Sequence, residues 1–68
     1  MNEERLNMDT RKFLKTFGIG AQREIENAVR DAVKAGRLKG NETLSVRAVL
    51  TIDGLVEGHT VDGEIALE

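Results

Sequence analysis

Apolar residues in the first half of the chain recur at the three- and four-residue spacing of an α-helix. This spacing predicts two helices, at about residues 3–17 and 21–35. The first predicted helix carries the larger apolar side chains, among them Phe13 and Phe17. The second carries a narrower stripe, which consists of Ala21, Ile25, Ala28, Val29, Ala32 and Val33.

A Gly-Ile-Gly sequence at residues 18–20 separates the two predicted helices. Because glycine adopts positive φ without strain, Gly18 is expected to end the first helix and Gly20 to begin the second. Phosphate-binding glycine loops follow a strand within a parallel βαβ unit, so this loop is not expected to bind phosphate. Gly36 is predicted to stop the second helix.

In the second half of the chain the spacing of apolar residues changes from helical to alternating. Residues 43–52 have an apolar residue at every even position, which predicts a half-buried strand. Two Asp-Gly dipeptides follow, at residues 53–54 and 62–63, and Asp-Gly is favoured in type I′ turns. The pattern therefore predicts three antiparallel strands, at about residues 43–52, 55–61 and 64–67.

Together these elements predict one small α+β domain over residues 1–68. It would be a two-helix hairpin followed by a three-stranded antiparallel β-meander, with the helices packed on one sheet face. Two-residue turns would pair Ile52 with Leu55 and Ala48 with His59. The uncovered sheet face would be apolar, and such a face is a candidate for burial in a dimer. We therefore expect a homodimer whose interface includes Val49, Val56, Gly58, Ile65 and Leu67.

The composition limits the chemistry that this domain could support. The chain has no cysteine and one histidine, which excludes disulfides and thiol nucleophiles and argues against a structural zinc site. Asp53 and Asp62 belong to a stretch that lacks the alternating oxygen ligands of a calcium-binding loop. We therefore expect no metal ion and no cofactor.

His59 and Glu57 form the one pair of residues that could act in acid–base catalysis. They are two residues apart on one predicted strand, so both side chains would lie on the same face. Catalysis would also need a reacting partner within hydrogen-bond reach, and Ser45 is predicted on the opposite face. A packed or half-exposed histidine is the favoured interpretation, and we expect that the protein is not an enzyme.

The charge distribution argues against polyanionic partners. The net charge is −2 with both signs mixed, and only two aromatic residues are available for stacking. We therefore expect neither nucleic acid nor a membrane as a partner. No apolar run reaches the ~18 residues of a membrane helix, and the polar N-terminus carries no secretory signal, so the expected location is the cytoplasm.

The alternative function is nucleic-acid binding by a domain of the helix-turn-helix or winged type. Residues 10–29 would form a helix, a glycine turn and a second helix, and the following hairpin could serve as a wing. Acidic residues on the second helix would repel phosphate, so this hypothesis is the weaker one. Its candidate contacts are Arg11, Lys12, Lys15 and Arg23.

Several stretches of the chain resemble a small bacterial protein family of unknown function. The stretches are RKFLK, GAQREIENAVRDAV, LKGNETL and VDGEIALE. The resemblance extends from about Arg11 to the end of the chain. It implies a stand-alone cytoplasmic bacterial protein without an assigned activity, and it transfers no functional residue to this chain. It also implies that the terminal Leu67 and Glu68 are native residues.

Overall fold

A computed structural model describes all 68 residues of the chain. It contains one helix, α1 (Glu3–Lys34), and two strands, β1 (Thr43–Ile52) and β2 (Val56–Ala66), which pair as an antiparallel sheet. The chain divides into two units, residues 1–37 and 38–68. The α+β class agrees with the prediction. The predicted two-helix hairpin and three-stranded meander are wrong, because the chain has one helix and two strands.

The helix α1 runs through the glycine pair that was predicted to be a corner. Neither Gly18 nor Gly20 has positive φ, the conformation that a glycine stop requires. Each glycine costs about 1 kcal/mol relative to alanine inside a helix. A break would instead leave unpaired backbone groups at two new helix ends and would require a second nucleation step. The continuous helix is therefore the better solution.

Both ends of α1 are capped. At the start, the Asn2 side chain accepts a hydrogen bond from the Arg5 backbone N–H at 3.0 Å. At the end, Gly36 has a φ of 78° and its N–H donates to the Val33 carbonyl. The Arg37 N–H donates to the Ala32 carbonyl, which completes a Schellman motif. The predicted stop at Gly36 is confirmed.

The first Asp-Gly dipeptide forms the turn between the strands. Residues 53–55 connect β1 to β2, and the Leu55 N–H donates to the Ile52 carbonyl at 3.0 Å. Gly54 has a φ of 74°, whereas Asp53 does not have positive φ. The turn is therefore a type II rather than the predicted type I′ turn, because type I′ needs positive φ at both central residues.

The second Asp-Gly dipeptide lies inside β2 and makes no turn. Asp62 is paired with Arg47 and Gly63 with Val46, so the predicted third strand is the continuation of the second. A turn at this point would leave the first half of β1 without a hydrogen-bonding partner, and a continuous β2 supplies one. The predicted boundary between strands 55–61 and 64–67 is therefore wrong.

The strand register also differs from the prediction, because β2 contains a bulge. Ala48 pairs with Val61 rather than His59, and Ile52 pairs with Val56 rather than Leu55. Between the pairs Leu50–His59 and Ile52–Val56, β1 advances two residues and β2 advances three. The extra residue in β2 reverses the alternation of its side chains at that point. As a result, Val56 lies on the same face as Val61.

Candidate interaction surface

One face of the hairpin is almost wholly apolar. Strand alternation and the observed register place the even residues of β1 on the same side as Val56 and the odd residues of β2. Leu67 continues this row, because its N–H donates to the Glu42 carbonyl at 2.9 Å. We call this surface the apolar hairpin face. It consists of Leu44, Val46, Ala48, Leu50, Ile52, Val56, His59, Val61, Gly63, Ile65 and Leu67.

The opposite face of the hairpin is polar. Its cross-strand pairs include Ser45 with Glu64 and Arg47 with Asp62. The Arg47 Nε lies 2.7 Å from the Asp62 Oδ1, and both side chains are about two-thirds exposed. An exposed ion pair of this kind contributes at most about 1 kcal/mol. This pair therefore marks the solvent side of the hairpin more than it stabilises it.

The pattern of burial follows the same division. Every strand residue that is half-buried lies on the apolar hairpin face, and these residues are Leu44, Val46, Ala48, Val56 and Ile65. No residue of the chain is fully buried, and Val61 is 55% exposed. A two-stranded hairpin is only marginally stable in water unless its apolar face is covered. The hairpin therefore presents an apolar surface that needs a cover.

The structure does not bring the five predicted interface residues together on one face. Val56, Ile65 and Leu67 belong to the apolar hairpin face, whereas Val49 pairs with Thr60 on the polar face. Gly58 lies beside Val49, since a Cβ built on Gly58 would be 3.7 Å from the Val49 Cγ1. The predicted grouping depended on a turn at residues 62–63. Without that turn, Ile65 moves to the face that carries Leu44.

Several residues of the apolar hairpin face had been assigned to the interior of the predicted domain. Leu44, Val46 and Leu50 were expected beneath the helices, yet none of them is buried. The alternation of apolar residues along β1 identified their common face correctly. The unbroken β2 places Val61 and Ile65 on the same side as these residues.

The residues proposed for catalysis do not form a site. His59 pairs with Leu50 on the apolar hairpin face, whereas Glu57 lies in the bulge. The side-chain hydrogen bond between the two strands is the one from Arg47 to Asp62, and it does not involve His59. No group of three acidic or histidine side chains lies close enough together to hold a metal ion. His59 is the one ionisable residue of the apolar hairpin face.

The carboxylate of Glu42 organises the chain just before β1. It accepts hydrogen bonds from the backbone N–H groups of Lys39 at 2.8 Å, Gly40 at 3.0 Å and Asn41 at 3.2 Å. These bonds lower the pKa of Glu42 below its ordinary value because they stabilise the charged form, and the bond from Lys39 has the largest effect. Nothing in the sequence pattern singled out this residue. The three consecutive donors are filled by the chain itself, so they are not an open anion site.

The basic residues named for nucleic-acid binding all lie within α1. The ion pairs of α1 are Arg5–Asp9 and Glu26–Arg30. The four basic residues listed as candidate nucleic-acid contacts are in neither pair. A helix-turn-helix needs two helices with a turn between them, and residues 10–29 are one continuous helix. The predicted helix-turn-helix geometry is therefore wrong, whereas nucleic-acid binding stays a prediction. The four unpaired residues are Arg11, Lys12, Lys15 and Arg23.

Comparisons with known proteins bear on identity but not on activity. Although α1 is 32 residues long, no part of it is apolar enough to cross a membrane. Searches of curated proteins and of solved structures found no match to the chain. The resemblance seen in the sequence is confirmed and extends further toward the N-terminus than Arg11. The chain belongs to the family described as "Family of unknown function (DUF6494)", whose model matches residues 1–68.

Proposed function

We propose that this chain is a non-enzymatic protein-interaction module that associates with a second copy of itself through the apolar hairpin face. The observation that supports the proposal is the continuity of this face combined with its exposure: it runs the length of both strands, and none of its side chains is buried. A homodimer was also expected from the sequence. The resemblance to a bacterial family also leads us to expect this chain in the cytoplasm.

The chemistry of the apolar hairpin face suits an interface. The charged side chains of the strands, such as Arg47, Asp62 and Glu64, point to the other side, so pairing two apolar faces desolvates none of them. His59 is the one polar exception.

The apolar hairpin face supplies a hydrophobic driving force for association. Full burial of a Val, Leu or Ile side chain stabilises by about 1.5–3 kcal/mol relative to full exposure. The face carries eight such side chains, and those that are still well exposed, such as Val61, would gain most from a cover. Association also costs translational and rotational freedom, so only the surplus contributes to affinity.

A second copy is favoured over an unrelated partner because the hairpin needs its cover whenever the chain is folded. A second copy is present at the same concentration as the chain itself, and a two-fold axis lets the same patch serve both subunits. An enzymatic role has no comparable support, because no reacting partner lies beside His59 or Glu57.

The test is the mass of the particle in solution as a function of concentration. Static light scattering from about 10 μM to 1 mM should give a mass that rises to at least twice that of one chain. Refractive index must be the concentration detector, because the chain has no Trp or Tyr. The mass of one chain at every concentration, with the hairpin folded by NMR, would disprove self-association.

A further inference from the structure

A segment of α1 combines high positive charge with exposed apolar side chains. Residues 10–23 contain four basic residues and no acidic one, although the whole chain has a net charge of −2. The net charge predicted no attraction to anionic surfaces, but it averages over segments of opposite charge. The four basic side chains are unpaired, as described above. This segment therefore has a local positive field that the total charge conceals.

The helix separates these charges from its two aromatic side chains, while Ile19 lies on the basic side. At 100° per residue, Phe13 and Phe17 lie one turn apart on one side of α1. Viewed down the helix axis, Leu6 lies between them. Arg11 and Lys15 lie one turn apart on the other side. Phe13 is 56% exposed and Phe17 is 52% exposed. The segment is thus an amphipathic helix with a basic face and an aromatic face.

An anionic lipid surface uses both faces at once, whereas nucleic acid and a second copy of the chain each use one. Nucleic acid would contact the basic face and leave Phe13 and Phe17 in water. A second copy packed against the aromatic face would leave the basic face without an opposite charge. A surface of anionic lipids accepts the apolar side chains among its acyl chains and the basic side chains among its headgroups. Charge complementarity therefore selects a membrane surface.

We propose that residues 10–23 of α1 bind an anionic membrane surface, with the helix lying in the plane of the headgroups and Phe13 and Phe17 inserted below them. Lys and Arg side chains have long apolar stems, which let their charges reach the headgroups from a helix at this depth. The site uses α1 and not the apolar hairpin face. It is therefore independent of the proposed self-association, and either proposal could fail without the other.

The experiment is co-sedimentation of the full chain with lipid vesicles at about 0.1 M salt. Vesicles of phosphatidylcholine and phosphatidylglycerol at a 3:1 ratio should bind the chain, and vesicles of pure phosphatidylcholine should bind it at least tenfold more weakly. Each basic residue near an anionic surface contributes about 1 kcal/mol, so the double substitution Lys12→Gln and Lys15→Gln should weaken binding about 30-fold. The control with the same loss of charge outside the segment, Lys34→Gln and Arg37→Gln, should weaken it less than threefold.

A second pair of substitutions tests insertion rather than charge alone. Phe13→Ser and Phe17→Ser together should weaken binding to the anionic vesicles at least tenfold while circular dichroism shows that the helix persists. No binding to the 3:1 vesicles, or binding that is indifferent to the two phenylalanines, would overturn the proposal. Binding to a DNA duplex that falls with salt and is unchanged by the phenylalanine substitutions, without vesicle binding, would assign the basic face to nucleic acid instead.

Discussion

Arg47 and Asp62 lie opposite each other on neighbouring strands, with the Arg47 Nε 2.7 Å from the Asp62 Oδ1. This contact exists only because β2 continues through Asp62-Gly63 instead of turning there. The same continuity places Val61 and Ile65 on one side of the hairpin. The pair on the polar face thus indicates the register that builds the apolar hairpin face.

Two glycines of the hairpin should respond oppositely to alanine. Gly54 has a φ of 74°, where an alanine side chain costs about 1–2 kcal/mol, so Gly54→Ala should destabilise the hairpin by that amount. Gly63 does not have positive φ, and a Cβ there would have no atom within 4 Å. Gly63→Ala should therefore stabilise by about 0.5–1 kcal/mol. Thermal unfolding monitored by circular dichroism measures both changes. A loss of stability in Gly63→Ala would contradict the continuous strand at this position.

The continuity of α1 makes a matching prediction for its glycines. Gly18→Ala and Gly20→Ala should each stabilise the helix by about 1 kcal/mol, because neither site has positive φ and neither Cβ would meet a neighbour. Gly36→Ala is the control, and it should destabilise because Gly36 has a φ of 78°. The ellipticity at 222 nm during heating gives the order of the variants. A corner at residues 18–20 requires the reverse order.

The apolar hairpin face should be sensitive to charge where the polar face is not. Val61→Asp would place a carboxylate in the proposed interface and should weaken association at least 100-fold, because an unpaired charge is costly to bury. Thr60→Asp, the adjacent residue on the polar face, should change it less than threefold. Light scattering measures both.

A gain of affinity separates this interface from a simple effect on folding. His59→Val removes the one ionisable group of the apolar hairpin face and introduces a β-branched side chain, which strands favour. Association should become several-fold tighter, which unfolding cannot imitate. Equal dissociation constants for wild type, Val61→Asp and His59→Val would place the interface elsewhere.

The connector before β1 should loosen in acid. The folded-state pKa of Glu42 is lowered, so its contribution to stability is complete above the unfolded value of 4.5 and is lost as the pH falls through the lower folded value. The amide resonances of Lys39, Gly40 and Asn41 should move together in that range, since their N–H groups bind this carboxylate. Glu42→Gln should abolish the transition, and an unchanged transition in that variant would assign it to another group.

Local features were predictable where one short stretch decides the outcome. The stop at Gly36 and the turn after Ile52 each depend on a few adjacent residues and on backbone bonds among them. The alternation along β1 likewise identified one apolar face. The candidate interface was only partly predicted, because Val56, Ile65 and Leu67 belong to the face while Val49 and Gly58 do not.

The period of the apolar residues was enough to place the helical and extended parts of the chain and the apolar side of β1. The structure was needed to show that Gly18 and Gly20 continue a helix and that Asp62-Gly63 continues a strand. The preference of a glycine or an Asp-Gly dipeptide for a turn is about 1 kcal/mol. Breaking the helix or the ladder at these points would leave several backbone groups unpaired, so the cooperative hydrogen bonding of the longer element outweighs the local preference.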